Sequence, residues 1–93
     1  MSAGWDAVVL HQADHVATAL RALEAGETIK VQGPDGIAGL TVVEVIPLCH
    51  KVAVADLDIG QELRKYGEVI GEASQAIGKG AWVHVHNLRS LRG

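Results

Sequence analysis

Leu23-Glu24-Ala25-Gly26-Glu27-Thr28-Ile29, Leu57-Asp58-Ile59-Gly60-Gln61-Glu62-Leu63 and Ile77-Gly78-Lys79-Gly80-Ala81-Trp82-Val83 share one frame. Each has an apolar residue, a glycine three positions on, and a second apolar residue three further. Physically, such a frame anchors one side chain, reverses the chain at glycine and feeds an apolar residue into a strand. The glycines are unequally spaced, which excludes a solenoid period. The pattern is a corner used three times in a small folded-back sheet.

Composition agrees. Eleven glycines in 93 residues imply many turns and hence short strands. The apolar residues are mostly Val, Ile, Leu and Ala, with no Phe, which suits small-volume β packing. The length allows one domain, expected over 1–93, with a thin core. Hydrophobic content of 48% excludes a disordered tail. The single Cys49 forms no internal bridge. A net charge of -3 and 3% aromatic residues argue against a nucleic-acid binder. No apolar run is long enough to span a membrane, and residues 1–6 carry no signal-peptide pattern, so a cytoplasmic location is expected.

Outward from the corners, Val8-Val9-Leu10 is expected as an opening strand reaching His11. Val16, Ala19, Leu20 and Leu23 fall at i, i+3, i+4 and i+7, which predicts one short helix capped by Asp14 and stopped at Gly26. Ile29 and Val31 alternate with Lys30 and Gln32 as a half-buried strand, and Gly33-Pro34-Asp35-Gly36 is a turn. Leu40–Ile46, Lys51–Val54 and Ala81–His86 complete the expected strands, with Pro47 ending the first of them. The fold class is therefore mainly β with one short helix. Exposed sheet edges make a homodimer in isolation an expectation.

Chemistry is confined to histidine-bearing segments. His11 and His15 flank Asp14, Cys49-His50-Lys51 follows Pro47, and His84 and His86 stand two apart beside Trp82 and Asn87. On a strand, an i, i+2 pair presents two imidazoles on one face, a start for a metal site that needs a third ligand. A solvated strand face explains the pair equally well. Asp14 also serves as a cap, Cys49 as a small hydrophobe, and Lys65-Tyr66-Gly67 as a turn. No phosphate loop, Cys-x-x-Cys or Ser-His-Asp arrangement occurs.

Four colinear segments carry a resemblance: His11-x-x-Asp14-x-Val16-Ala17-x-Ala19, Ile46-Pro47-x-x-His50-Lys51-Val52-Ala53, Lys65-Tyr66-Gly67-x-x-Ile70-Gly71-x-Ala73 and His84-x-His86-Asn87. Together, from Val9 to Leu88, they resemble the N-terminal domain of altronate dehydratases. That domain belongs to the SAF group, named with antifreeze type III proteins and sialic acid synthase, and has a β-clip fold. The resemblance implies a small domain joined to, or encoded apart from, a large catalytic portion. The family includes dehydratases for altronate or galactarate and sulfolactate sulfo-lyase, whose small alpha subunit is a chain of this kind.

Elimination of water or bisulfite from a 2-hydroxy carboxylate is the implied reaction, with a divalent metal, often iron. The chain is accordingly expected to be a stand-alone small subunit, partnered by a large catalytic subunit. The residues matching the shared motifs are His11, Asp14, His50, Lys51, His84, His86 and Asn87, and the match does not itself assign their roles. With the histidine segments at one rim facing the large subunit, His50 and Lys51 are the expected catalytic residues, the first in proton transfer and the second on the substrate carboxylate. His11, Asp14 and Asn87 are expected to bind substrate, and His84 and His86 to hold metal. His15 stands where sugar-acid dehydratases usually carry asparagine and the sulfo-lyase pattern carries histidine, which tilts the expectation to the sulfonate branch. Cys49 replaces the usual glycine, so its loop is expected to take a different backbone or to expose a thiol. A non-catalytic docking module and an independent metal- or ligand-binding domain are the alternatives.

Overall fold

The computed structural model describes residues 4–90; Met1–Ala3 of the stretch read for a signal peptide, and residues 91–93 of the expected domain, lie outside them. Nine strands are present among the described residues: β1 (Ala7–Val8), β2 (Val16–Ala19), β3 (Thr28–Gly33), β4 (Gly36–Thr41), β5 (Lys51–Ala53), β6 (Glu62–Lys65), β7 (Glu68–Ala73), β8 (Trp82–Val83) and β9 (Leu88–Ser90). They form a six-stranded sheet of order β4-β3-β1-β2-β5-β8 and a three-stranded sheet of order β6-β7-β9. Only β1 with β3 is parallel. Short strands, two sheets and repeated corners are consistent with the expected β-clip.

The corner frame organises the core, and it occurs four times. Leu23 and Ile46 exchange backbone hydrogen bonds in both directions, and so do Leu57 and Ile77. The amides of Gly26 and Cys49 donate to Val42 and Ala19 in the first pair; those of Gly60 and Gly80 donate to Ala73 and Ala53 in the second. Each acceptor lies four residues before the anchor of the opposite corner, so the two pairs repeat one two-fold arrangement. The first pair sits in a cluster with Ala7, Ala17, Ala19, Ile29, Val31, Leu40, Val42 and Val52. The second sits with Val16, Leu63, Ala73, Val83 and the rest of a separate cluster. Alternation along β2 and β5 sends Ala17 and Val52 into one core, Val16 and Ala53 into the other.

The fourth corner is the one that composition concealed. Gly26, Gly60 and Gly80 have φ of 85°, 83° and 90°, and Cys49 takes 70° in the equivalent place. The expected change of backbone does not occur. The cysteine adopts the glycine conformation, and the thiol is exposed, as the other half of the expectation had it.

The expected short helix is absent among the described residues. Its first four residues are β2, hydrogen-bonded to β1 on one side and β5 on the other. Leu20, required on the helix's apolar face, is 45% exposed. Val16, Ala17 and Ala19 are all buried because a central strand packs on both faces, and such a run mimics a helical stripe. A helix of two or three turns gains too little by itself to compete with two strand partners.

Three further boundaries differ. The opening strand ends at Val8, and Leu10 is exposed. The expected final strand stops at Val83: residues 84–87 turn, and β9 follows. The Pro34-Asp35 turn joins β3 to β4, as expected, but β4 runs from Gly36 to Thr41, so the expected strand over Leu40–Ile46 stops at Thr41. Beyond it Val43 and Val45 are exposed and Ile46 makes only an isolated bridge to Leu23, because the chain there enters its corner.

Candidate functional site

Corner four and the turn after β8 bring one group of expected residues together. Lys51 opens β5, where it pairs with Thr18 of β2 and Val83 of β8. That register sets His50 beside Trp82, whose indole Nε1–H donates to His50 Nδ1 at 3.0 Å. His84 stacks on the Trp82 indole at 5.3 Å between centroids and 9° between planes. His86 approaches the same indole at 5.1 Å, and His50 and His84 are 4.7 Å apart. His84 and His86 thus share Trp82 as expected, through a turn rather than a strand.

Asn87 builds that turn. It is 5% exposed, its Oδ1 accepts from the His84 amide at 2.9 Å, and its Nδ2 donates to the Trp82 carbonyl at 2.8 Å. One N–H and one oxygen lone pair of the side chain thus brace the turn that carries the histidines.

A second group gathers at the tip of the β6–β7 hairpin. Asp14, 8% exposed, accepts from the amides of Tyr66 (2.9 Å) and Gly67 (2.8 Å), one per carboxylate oxygen. Both turn residues have positive φ, 57° and 75°. Asp14 is a cap, as one reading had it, but of this turn and not of a helix. His11 lies over Gly67 so closely that a Cβ there would stand 3.0 Å from its ring. His15 Nδ1 accepts from the Arg64 amide at 2.9 Å, where β6 shifts register.

Fixed positive charge at the first group comes from Lys51, with Lys65 near it. Burial, and then the charge of Lys65, push the Lys51 ammonium below its ordinary value. Burial also lowers His84, with His50, Lys51 and His86 adding to the effect. Ion pairs among the described residues join Arg21 to Asp6 and Glu27, and Arg89 to Glu72; none involves Lys51. A positive spot thus stands on a chain of net charge -3. Such a spot attracts carboxylates and other small anions. Lys65 carries this field toward the hairpin tip, where its ammonium lies 4.9 Å from the Tyr66 ring centroid.

A resident metal does not fit the donors of this chain alone. Among the described residues no three His, Cys, Asp or Glu side chains converge to hold an ion. His84 and His86 offer two imidazoles spread across an indole. A groove of about 270 Å³, lined by Val9, Val31, Leu40 and Val54 among others, includes Asp14 but none of the histidines. No helix among the described residues is long and apolar enough to cross a membrane.

Sequence reasoning passed over Trp82 as a functional residue. The available signal was its N–H, which needs a partner when half-buried. Lys65 was absorbed into a turn, and its proximity to Lys51 follows only from the packing of β6 beside β2.

Comparison with known proteins places these features. The profile of the altronate/galactarate dehydratase SAF domain matches residues 5–91. The chain is 40% identical over 78 residues to galactarate dehydratase (L-threo-forming) of Escherichia coli, covering 82% of this chain and 14% of that protein. It is 34% identical over 83 residues to altronate dehydratase of Bacillus subtilis, covering 89% of this chain and 16% of the relative. Against (2R)-sulfolactate sulfo-lyase subunit alpha of Chromohalobacter salexigens it is 34% identical over 88 residues, 90% of this chain and 94% of that subunit. The chain thus spans a small fraction of the two dehydratases and nearly all of the sulfo-lyase subunit.

Proposed function

Because the chain belongs to the altronate/galactarate dehydratase SAF-domain family, we propose that it is the small subunit of a two-component lyase. The enzyme eliminates water or bisulfite from a 2-hydroxy carboxylate and leaves a 2-oxo acid. The observation that carries this reading is the gathering of His50, Lys51, His84 and His86 around Trp82 on a domain of this family. Coverage of almost the whole sulfo-lyase alpha subunit supports a chain that works with a larger partner. That relative, and His15, favour a sulfonate substrate over a sugar acid.

In this reading the cluster faces the large subunit and closes its active site. Lys51 binds the substrate carboxylate as a point charge, and its half-buried position strengthens that attraction. His50 touches the reacting part of the substrate. His11 lies over the tip of the β6–β7 hairpin, which Asp14 holds in place. The α-proton passes to a base of the large subunit, the hydroxyl or sulfonate group leaves with its bonding electrons, and the resulting enol becomes the 2-oxo acid. A divalent metal, iron by family resemblance, is assigned to the assembled enzyme with ligands from the large subunit.

A second reading, a module that docks on and orders its partner, is favoured by Asp14 and Asn87, whose polar groups are used inside the chain. Turnover by the chain, a large subunit of the family, and their mixture separates the two. Sulfolactate, altronate and galactarate are assayed with ferrous iron by following the 2-oxo acid. Activity confined to the mixture, and lost with Lys51→Met, is the expected result. Full activity of the large subunit alone would leave docking as the role of this chain.

A further inference from the structure

We propose that Trp82 is the positioning residue of this site: its indole N–H fixes His50 as the Nε2–H tautomer, which makes His50 a neutral hydrogen-bond donor rather than an acid or a base. The donor's target rests on the functional reading above; the tautomer rests on geometry alone.

Indole nitrogen donates and has no lone pair to accept with. At 3.0 Å from Trp82 Nε1, His50 Nδ1 must therefore be the bare nitrogen, and the proton of the neutral ring sits on Nε2. An Nε2 that carries a proton cannot accept the α-proton of a substrate. Giving that proton away would leave an imidazolate, which excludes a general acid. What remains is donation from Nε2–H to an oxygen on which negative charge grows, such as the enolate oxygen formed as the α-proton leaves. His50 then exchanges no proton. The base for the α-proton, and the acid that protonates a departing hydroxide, both belong to the large subunit.

The indole is held for this task on several sides. The Trp82 amide donates to the Glu44 carboxylate at 3.0 Å, its carbonyl accepts from Asn87 at 2.8 Å, and its ring packs on the first core cluster and on His84. A partner so constrained leaves His50 little freedom to flip, and orienting a histidine through its second nitrogen is how such residues are tuned.

The test begins with the full chain, labelled with ¹⁵N histidine, at a mildly alkaline pH. His50 is expected to show a protonated Nε2 and a bare Nδ1. Trp82→Phe keeps an aromatic ring but loses the donor, so the His50 signals shift toward a mixture of tautomers. In the mixture with the large subunit, Trp82→Phe is expected to lower kcat by about 10–100-fold with KM held. His50→Gln places an amide N–H near the position of Nε2–H and retains turnover that His50→Ala loses. An Nδ1–H tautomer in the parent chain, an unchanged ring in Trp82→Phe, or His50→Gln no better than His50→Ala would overturn the proposal. Absence of turnover in the parent mixture would remove the lyase reading, while the tautomer result is decided on the chain by itself.

Discussion

Replacing Cys49 by glycine removes a strained residue from an otherwise glycine-built corner. Cys49 has φ of 70°, against 85°, 83° and 90° at Gly26, Gly60 and Gly80. A side chain in the left-handed region costs roughly 1–2 kcal/mol, and glycine's extra freedom in the unfolded chain takes back about 0.4–1 kcal/mol. The thiol is exposed, so little burial is lost. The net expectation for Cys49→Gly is a gain of about 1 kcal/mol, which for a domain of this size raises Tm by about 4–8 °C.

The mirror substitution supplies the control. Gly60→Cys puts the same residue at the corresponding corner, where a Cβ meets nothing within 4 Å. It should lose about what Cys49→Gly gains, because the same opposing terms apply with reversed sign. Gly80 is unsuitable, since a Cβ there would stand 2.1 Å from the Thr41 carbonyl oxygen. Urea unfolding under reducing conditions reads both, as midpoint shifts of about 0.5–1 M in opposite directions at unchanged slope. The corners lie in different core clusters, so the double variant should fall near the parent. A Cys49→Gly chain no more stable than the parent, with Gly60→Cys tolerated, would refute the equivalence of the four corners.

Asp14→Asn sets an amide N–H₂ against two backbone donors and should cost about 1.5–3 kcal/mol, read by the same urea unfolding with amide exchange at Tyr66 and Gly67 as a local monitor. Lys51→Met should separate stability from function. The folded chain holds the Lys51 proton less tightly than the unfolded chain does, so protonated Lys51 opposes folding at neutral pH, and stability rises as pH climbs from its lowered folded value to its ordinary one. The variant should therefore be as stable as the parent or more so, and should lack that alkaline rise, while the reconstituted enzyme loses turnover. His84 should titrate below free histidine in an NMR pH series and move upward in Lys51→Met, because one of the charges that depress it is gone.

Local signals were enough for the corners and hairpins. The spacing of Leu23, Gly26 and Ile29, and its two repeats, identified three of the four corners; Pro34-Asp35 and Tyr66-Gly67 marked the two hairpin turns. These positions depend on φ preferences and on apolar residues a few positions apart, which are properties of short peptide stretches. The fourth corner was hidden because Cys49 has no intrinsic claim on that conformation, and only the hydrogen bonds to Ala19 and around Ile46 hold it there.

The candidate site divides in the same way. The sequence by itself showed which side chains were candidates, because His11, Asp14, His50, Lys51, His84, His86 and Asn87 concentrate donor chemistry in the resembling motifs. Tertiary structure decided which partners each one meets. Trp82 meets His50 across 32 residues of chain, and Asp14 meets Gly67 across 53. It also decided that Val16–Ala19 is a strand, since its backbone is paired on both sides by segments distant in sequence. Periodicity reports which residues seek burial; only the partners brought in from elsewhere in the chain fix the hydrogen bonds, and with them the secondary structure and the tautomer.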